Sequence, residues 1–235
     1  MKKLFSLAAA MLGIAFVASN THADLVTFEL NSYLPGQPEY PSELGDPIPS
    51  LLTAVFEDVG ANSVSLTMSA DLPDEVNVKQ WYFNLDPALD PVNLQFTFSG
   101  SSDTGLTDSN IDEVNFPDGK NLAGVDGLDL GFLFPNSNAV LFDNNDWVSY
   151  TLSYLDSGAS ISASSFEFLS LPFSNDNEAQ FATIAHLQRI GEQGDSTWIG
   201  DGGDGAPPPV PEPATMLLVG IGLVSLAGFK RRYAK

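Results

Sequence analysis

Apolar and polar residues alternate with a period of two at several places in the middle of the chain. Val64, Leu66 and Met68 alternate with Ser63, Ser65, Thr67 and Ser69; Val92, Leu94, Phe96 and Phe98 alternate with Asn93, Gln95 and Thr97. Val148, Tyr150, Leu152 and Tyr154 do the same against Ser149, Thr151 and Ser153, and Leu128, Leu130, Phe132 and Phe134 make a fourth set. Successive side chains of a strand point to opposite faces, so each run predicts a half-buried strand. Apolar runs bounded by Gly, Pro, Asp and Asn predict further strands over residues 25–30, 51–58, 78–85 and 165–170. Residues 178–190 read two ways: Phe181, Ile184, Ala185 and Leu187 share a helical face, while 184–190 also tolerates alternation. Eight or more short strands with one polar face predict an all-β antiparallel β-sandwich of jelly-roll type over residues 24–200.

The two ends follow different patterns. Lys2 and Lys3 precede an apolar run from Leu4 to Ala18, and Thr21-His22-Ala23 supplies small residues at the end, the layout of a secretory signal peptide over residues 1–23. Cleavage is expected between Ala23 and Asp24. At the other end, Gly and Asp give way to Pro in a linker over 201–213, followed by sixteen uncharged residues from Ala214 to Phe229 and a basic tail, 230–235. Sixteen helical residues reach roughly 24 Å, short of a hydrocarbon layer of about 30 Å, but Lys230, Arg231 and Arg232 can snorkel. One transmembrane helix over 214–229 is therefore expected, with the cations holding the tail in the cytoplasm and the domain across the membrane.

Val210-Pro211-Glu212-Pro213, one apolar helix and the cluster Lys230-Arg231-Arg232 together resemble the PEP-CTERM sorting signal of Gram-negative bacteria. The resemblance implies recognition by an exosortase, with these residues read as an address, and delivery to the cell surface, the exopolysaccharide or the biofilm matrix. The secretory translocon and the membrane would be partners on the way. The stretches Trp81 to Asp90, Ser162 to Ser170 and Ala185 to Gly200 also resemble the extracytoplasmic domain recurring in PEP-CTERM proteins. That resemblance carries no catalytic residue.

Charge sharpens this reading. Between residues 24 and 210 only Lys79, Lys120 and Arg189 are basic, against twenty-nine acids, a formal net charge of −26. Such a surface repels nucleic acid and anionic lipid. The absence of cysteine excludes disulfides, a thiolate nucleophile and Cys-ligated metals, so stability rests on a packed core.

Chemistry-bearing patterns are sparse. His186 is the one histidine left after signal removal, and no Gly-x-Ser-x-Gly elbow, His-Glu-x-x-His motif or phosphate-binding glycine loop accompanies it. Asp74-Glu75 and Asp112-Glu113 are read as solvated acidic loops. Calcium favours clustered oxygen ligands, which makes Asp126 and Asp129, and Asp143 and Asp146, its candidate ligands in loops beside strands; tight turns use the same residue types. Trp81, Tyr82, Trp147 and Trp198 offer rings that could stack on sugars or pack in a core, and Trp147 falls on the polar side of its strand. The reading is an exported, non-enzymatic surface or matrix protein, with a secreted polysaccharide hydrolase or lyase, or an adhesin, as the alternatives.

Overall fold

The computed structural model describes residues 23–102, 105–136, 140–156, 158–171 and 179–202. The expected signal peptide, the linker beyond Gly202, the 214–229 helix and the basic tail lie outside the described residues.

Among the described residues, eleven strands form two antiparallel sheets: β1 (Leu25–Leu30), β2 (Ser32–Tyr33), β3 (Leu52–Gly60), β4 (Ser63–Ala70), β5 (Asn77–Phe83), β6 (Leu94–Ser101), β7 (Asp112–Leu122), β8 (Val125–Leu133), β9 (Trp147–Tyr154), β10 (Thr183–Ile190) and β11 (Asp195–Gly200). The first sheet runs β1-β3-β4-β9-β6 and the second β2-β11-β10-β5-β8-β7. One four-residue helix, Pro41–Leu44, is the sole α-helix among the described residues. The alternation seen in sequence is the packing pattern: Val64, Leu66 and Met68 are fully buried opposite Leu152, Tyr150 and Val148 of β9.

The inner faces of the two sheets share one core in which aromatic rings bridge the layers. Phe56 of β3 meets Phe83 of β5 edge-on at 5.3 Å and stacks on Phe166 at 4.1 Å; Phe132 of β8 meets Tyr150 of β9 at 5.0 Å and Phe96 of β6 at 5.6 Å. Each such pair contributes about 1 kcal/mol beyond its buried area, which helps a domain without disulfides. Trp81 is fully buried with its indole N–H donating to Thr183 Oγ1 at 2.8 Å, and the Thr183 hydroxyl donates to the Tyr82 carbonyl at 2.7 Å. The buried polar groups thus pin β5 to β10 while satisfying each other.

Several expectations are corrected. Residues 165–170 are not a strand: Ala163–Phe166 is a 3-10 turn, because the Ser162 amide donates to Ser165 Oγ at 3.1 Å and short serine side chains outcompete strand pairing. Val92 is 60% exposed rather than inward, since the Asp90 carboxylate caps a 3-10 turn over Pro91–Asn93 and β6 starts only at Leu94. Within the ambiguous 178–190 segment, Thr183–Ile190 forms β10, paired on both sides, while residue 178 lies outside the described residues. Asp112-Glu113 opens β7 and is no loop. β7 carries no clear alternation because Pro117 and Gly119 interrupt its pattern, which an edge strand tolerates. Its register jumps from Asn115↔Leu130 to Lys120↔Leu128, so residues 116–119 leave the ladder.

Candidate functional site

The sandwich presents two outer faces of opposite character. On the first sheet, the residues of β4, β9 and β6 that alternate with the core point outward: Ser63, Ser65, Thr67 and Ser69 pair with Ser153, Thr151, Ser149 and Trp147, and Gln95 and Thr97 pair with Ser153 and Thr151. Ser99 sits at a bulge in β6 within hydrogen-bonding distance of Thr151, Oγ to Oγ1 at 3.1 Å. Thr67 Oγ1 donates to Ser149 Oγ at 3.2 Å, so hydroxyls are linked across strands. Trp147 closes this field at one end, 41% exposed, its ring over Gly100, where an added Cβ would meet it at 3.5 Å. Its backbone is held twice by Ser102: Trp147 N–H donates to Ser102 Oγ at 2.8 Å, and Ser102 N–H to the Trp147 carbonyl at 2.9 Å. Of the carboxylates of this outer face, Glu57 on β3 stands directly opposite Ser65 of β4 and Glu29 lies on β1, so both border the field on the side away from β6.

The outer face of the second sheet is a small second core. Leu34, Tyr82, Val125, Leu128, Phe181 and Ile184 are buried there, with Phe116 and Trp198 packed against them. Tyr82 lies 6.1 Å from both Phe116 and Trp198, and burial pushes its pKa up to about 12. Gly131 makes room for it: a Cβ at that position would stand 2.4 Å from Tyr82 Cδ1. His186 stacks on Trp198 at 4.6 Å with rings within 9° of parallel. Burial, and secondarily the Lys79 charge, lower its pKa to about 4, so the imidazole is neutral near pH 7. It is a packed ring with a preference against protonation, which suits a stacking role.

A groove of about 420 Å³ lies where the turn after β5, the 116–119 excursion and the 168–171 segment meet, walled by Pro87, Leu89, Pro117, Phe168, Leu169 and Leu171. A second, serine-lined hollow of about 460 Å³ adjoins it across Phe168, with Asp86 and Glu167 at its rim. No sequence pattern announced either, since their walls come from loops distant along the chain.

The acidic candidates divide. Asp126 and Asp129 belong to β8, not to a loop. Asp129 Oδ2 accepts from the Leu85 amide at 2.8 Å, and burial raises its pKa while that bond lowers it. Asp126 Oδ1 accepts from the Gly127 amide at 2.9 Å, and its carbonyl accepts from Leu171 N–H at 2.9 Å. Asp143 and Asp146 do flank a turn, and Asp146 accepts from the Asp143 amide at 3.0 Å and from the Ser102 hydroxyl at 2.8 Å. The carboxylates of Asp126, Asp129 and Asp146 fasten backbone, and among the described residues no three acidic or histidine side chains come together in a way that could hold a metal ion. Asp74-Glu75 lies in a turn. Glu113 is half-buried; desolvation raises its pKa, with the nearby Tyr150 hydroxyl working the other way. Asp201, next to the end of β11, accepts from Ala182 N–H at 3.3 Å, and burial lifts its pKa to about 6.

Comparison with known proteins adds one specific finding. Residues 209–232 match the PEP-CTERM protein-sorting motif, a span that contains Val210, Pro211, Glu212, Pro213, Lys230, Arg231 and Arg232. No curated protein matches the chain. Among solved structures, the CBM3b of the major scaffoldin subunit ScaA from Acetivibrio cellulolyticus is similar at 12% identity, covering 68% of this chain and 89% of that one, with a TM-score of 0.29, too loose a superposition to carry an argument.

Proposed function

We propose, from the PEP-CTERM protein-sorting motif at residues 209–232, that this chain is an exported surface protein whose β-sandwich is the cargo and whose C-terminus is the address. The sorting motif is the observation that carries the reading. In this scheme the signal peptide leaves between Ala23 and Asp24, and the 214–229 helix holds the chain in the inner membrane. The domain then stands on the periplasmic side, as the basic tail at 230–235 requires. An exosortase then reads Pro211-Glu212-Pro213 and releases or transfers the domain to the cell surface or the exopolysaccharide matrix.

The sandwich acts there by binding, not turnover. Its half-buried histidine is stacked and disfavours protonation, and the first sheet's outer face offers hydroxyls without an acid–base pair. Mass spectrometry of the protein from surface and inner-membrane fractions tests the sorting. A surface form lacking the residues after 213 is expected, and replacement of Pro211, Glu212 and Pro213 by alanine should trap the chain in the inner membrane. A surface form that keeps 214–235, or normal delivery of the alanine variant, would overturn the proposal.

A further inference from the structure

We infer that the outward face of β4, β9 and β6 is a docking platform for an uncharged polysaccharide chain, with Trp147 as its stacking residue. The inference rests on the surface-protein reading only for where such a polymer would be met. Eleven outward side chains on these three strands comprise nine hydroxyls, the Gln95 amide and the Trp147 indole, with no charge among them, in a domain whose net charge is −26. Six of the nine hydroxyls are serine, which is not among the residues that strands enrich, so backbone preference alone does not account for the field.

The chemistry selects the occupant. Each hydroxyl has one donor and two acceptor sites, so the cross-strand bonds of Thr67 to Ser149 and of Ser99 to Thr151 leave capacity for a ligand. A polymer of neutral hydroxyls satisfies that surface without desolvating a charge, whereas an anionic one would meet the field of twenty-nine acids. A protein partner would need an apolar centre, and this face has a single exposed aromatic ring. The short side chains let a ligand lie close to the sheet, and the bonds that fix Trp147's backbone to Ser102 reduce the ordering cost of stacking a sugar ring on its open side.

Affinity electrophoresis of the full chain in detergent micelles, through gels containing an uncharged β-glucan or the anionic polymer alginate, tests this. Retardation by the glucan alone is expected. Trp147→Ala should weaken it about tenfold. Thr151→Asp, which places a carboxylate in the middle of the field, should abolish it while the variant keeps the β-sheet circular dichroism of the wild type at the assay temperature, and Trp198→Phe on the opposite sheet should leave it intact. Glucan retardation that survives both Trp147→Ala and Thr151→Asp would overturn the assignment of this face while leaving the sorting proposal standing. Absence of retardation by the glucan, or retardation by alginate, would overturn the choice of ligand. The location of the protein in cell fractions reports on the sorting proposal separately.

Discussion

The two outer faces of this sandwich are built from strands of one chain and have opposite fates. The first sheet's outer face is hydroxyl-rich and uncovered, and its side chains touch little beyond their cross-strand neighbours. The second sheet's outer face is roofed by Leu34, Phe181 and the β7 excursion around Tyr82. Side chains on the roofed face hold the fold together, so changes there should appear as stability. Those on the open face contribute little to folding, so changes there should appear as binding. The contrast shows why a sheet face with no packing duty is the part of such a domain free to meet a partner.

Five experiments can break or sharpen that contrast. The largest effect is expected for Tyr82→Ala, which empties the second core and should cost about 4 kcal/mol, read by urea unfolding. Gly131→Ala forces a Cβ against the Tyr82 ring and should cost about 2 kcal/mol in the same assay; a neutral result would mean that the roof gives way easily. Asp201 tests the roofed sheet through pH. Its folded pKa, about 6, lies above the ordinary carboxylate value, so its protonation favours the folded state. That contribution is fully present below about pH 4 and is lost as pH rises through about 6. Between pH 7 and pH 4 the thermal midpoint of the wild type should therefore gain on that of Asp201→Asn, by the equivalent of about 2 kcal/mol. His186 runs the other way: its lowered pKa gives stability present above about pH 6.5 and lost as pH falls toward 4, so His186→Gln should remove an acid-side loss. The smallest stability effect is expected on the open face, where Ser65→Ala should stay within about 0.5 kcal/mol; a larger loss would show that this face has a folding role after all.

Much of this was legible from residue order, though unevenly. Local alternation located β4 and β9, which bury one face and leave the other polar, and the apolar run at 25–30 placed β1 to the residue. It failed where side-chain hydrogen bonds or bulges override the pattern, as at Ser162–Ser165, at Asp90 and through Pro117. The sorting motif was readable because it occupies one contiguous span, residues 209–232. The open face was visible only as scattered serines and threonines until pairing placed Ser65 beside Thr151 and Thr151 beside Thr97. The groove under Phe168 and the second core around Tyr82 had no local signal, since their walls are set by tertiary contacts.

The end of β11 also has a mechanical meaning. β11 is an inner strand, bonded along six residue pairs to β10 and along two to β2, and the Asp201 carboxylate ties its end to the Ala182 amide. A pull on the chain beyond Gly202, directed along the strand, reaches the domain in shear and loads those bonds together instead of peeling them one at a time. Drag on the sandwich would therefore be shared across the middle of the second sheet and passed to the aromatic core behind it, giving a tethered domain a high resistance to being unravelled from its own attachment point.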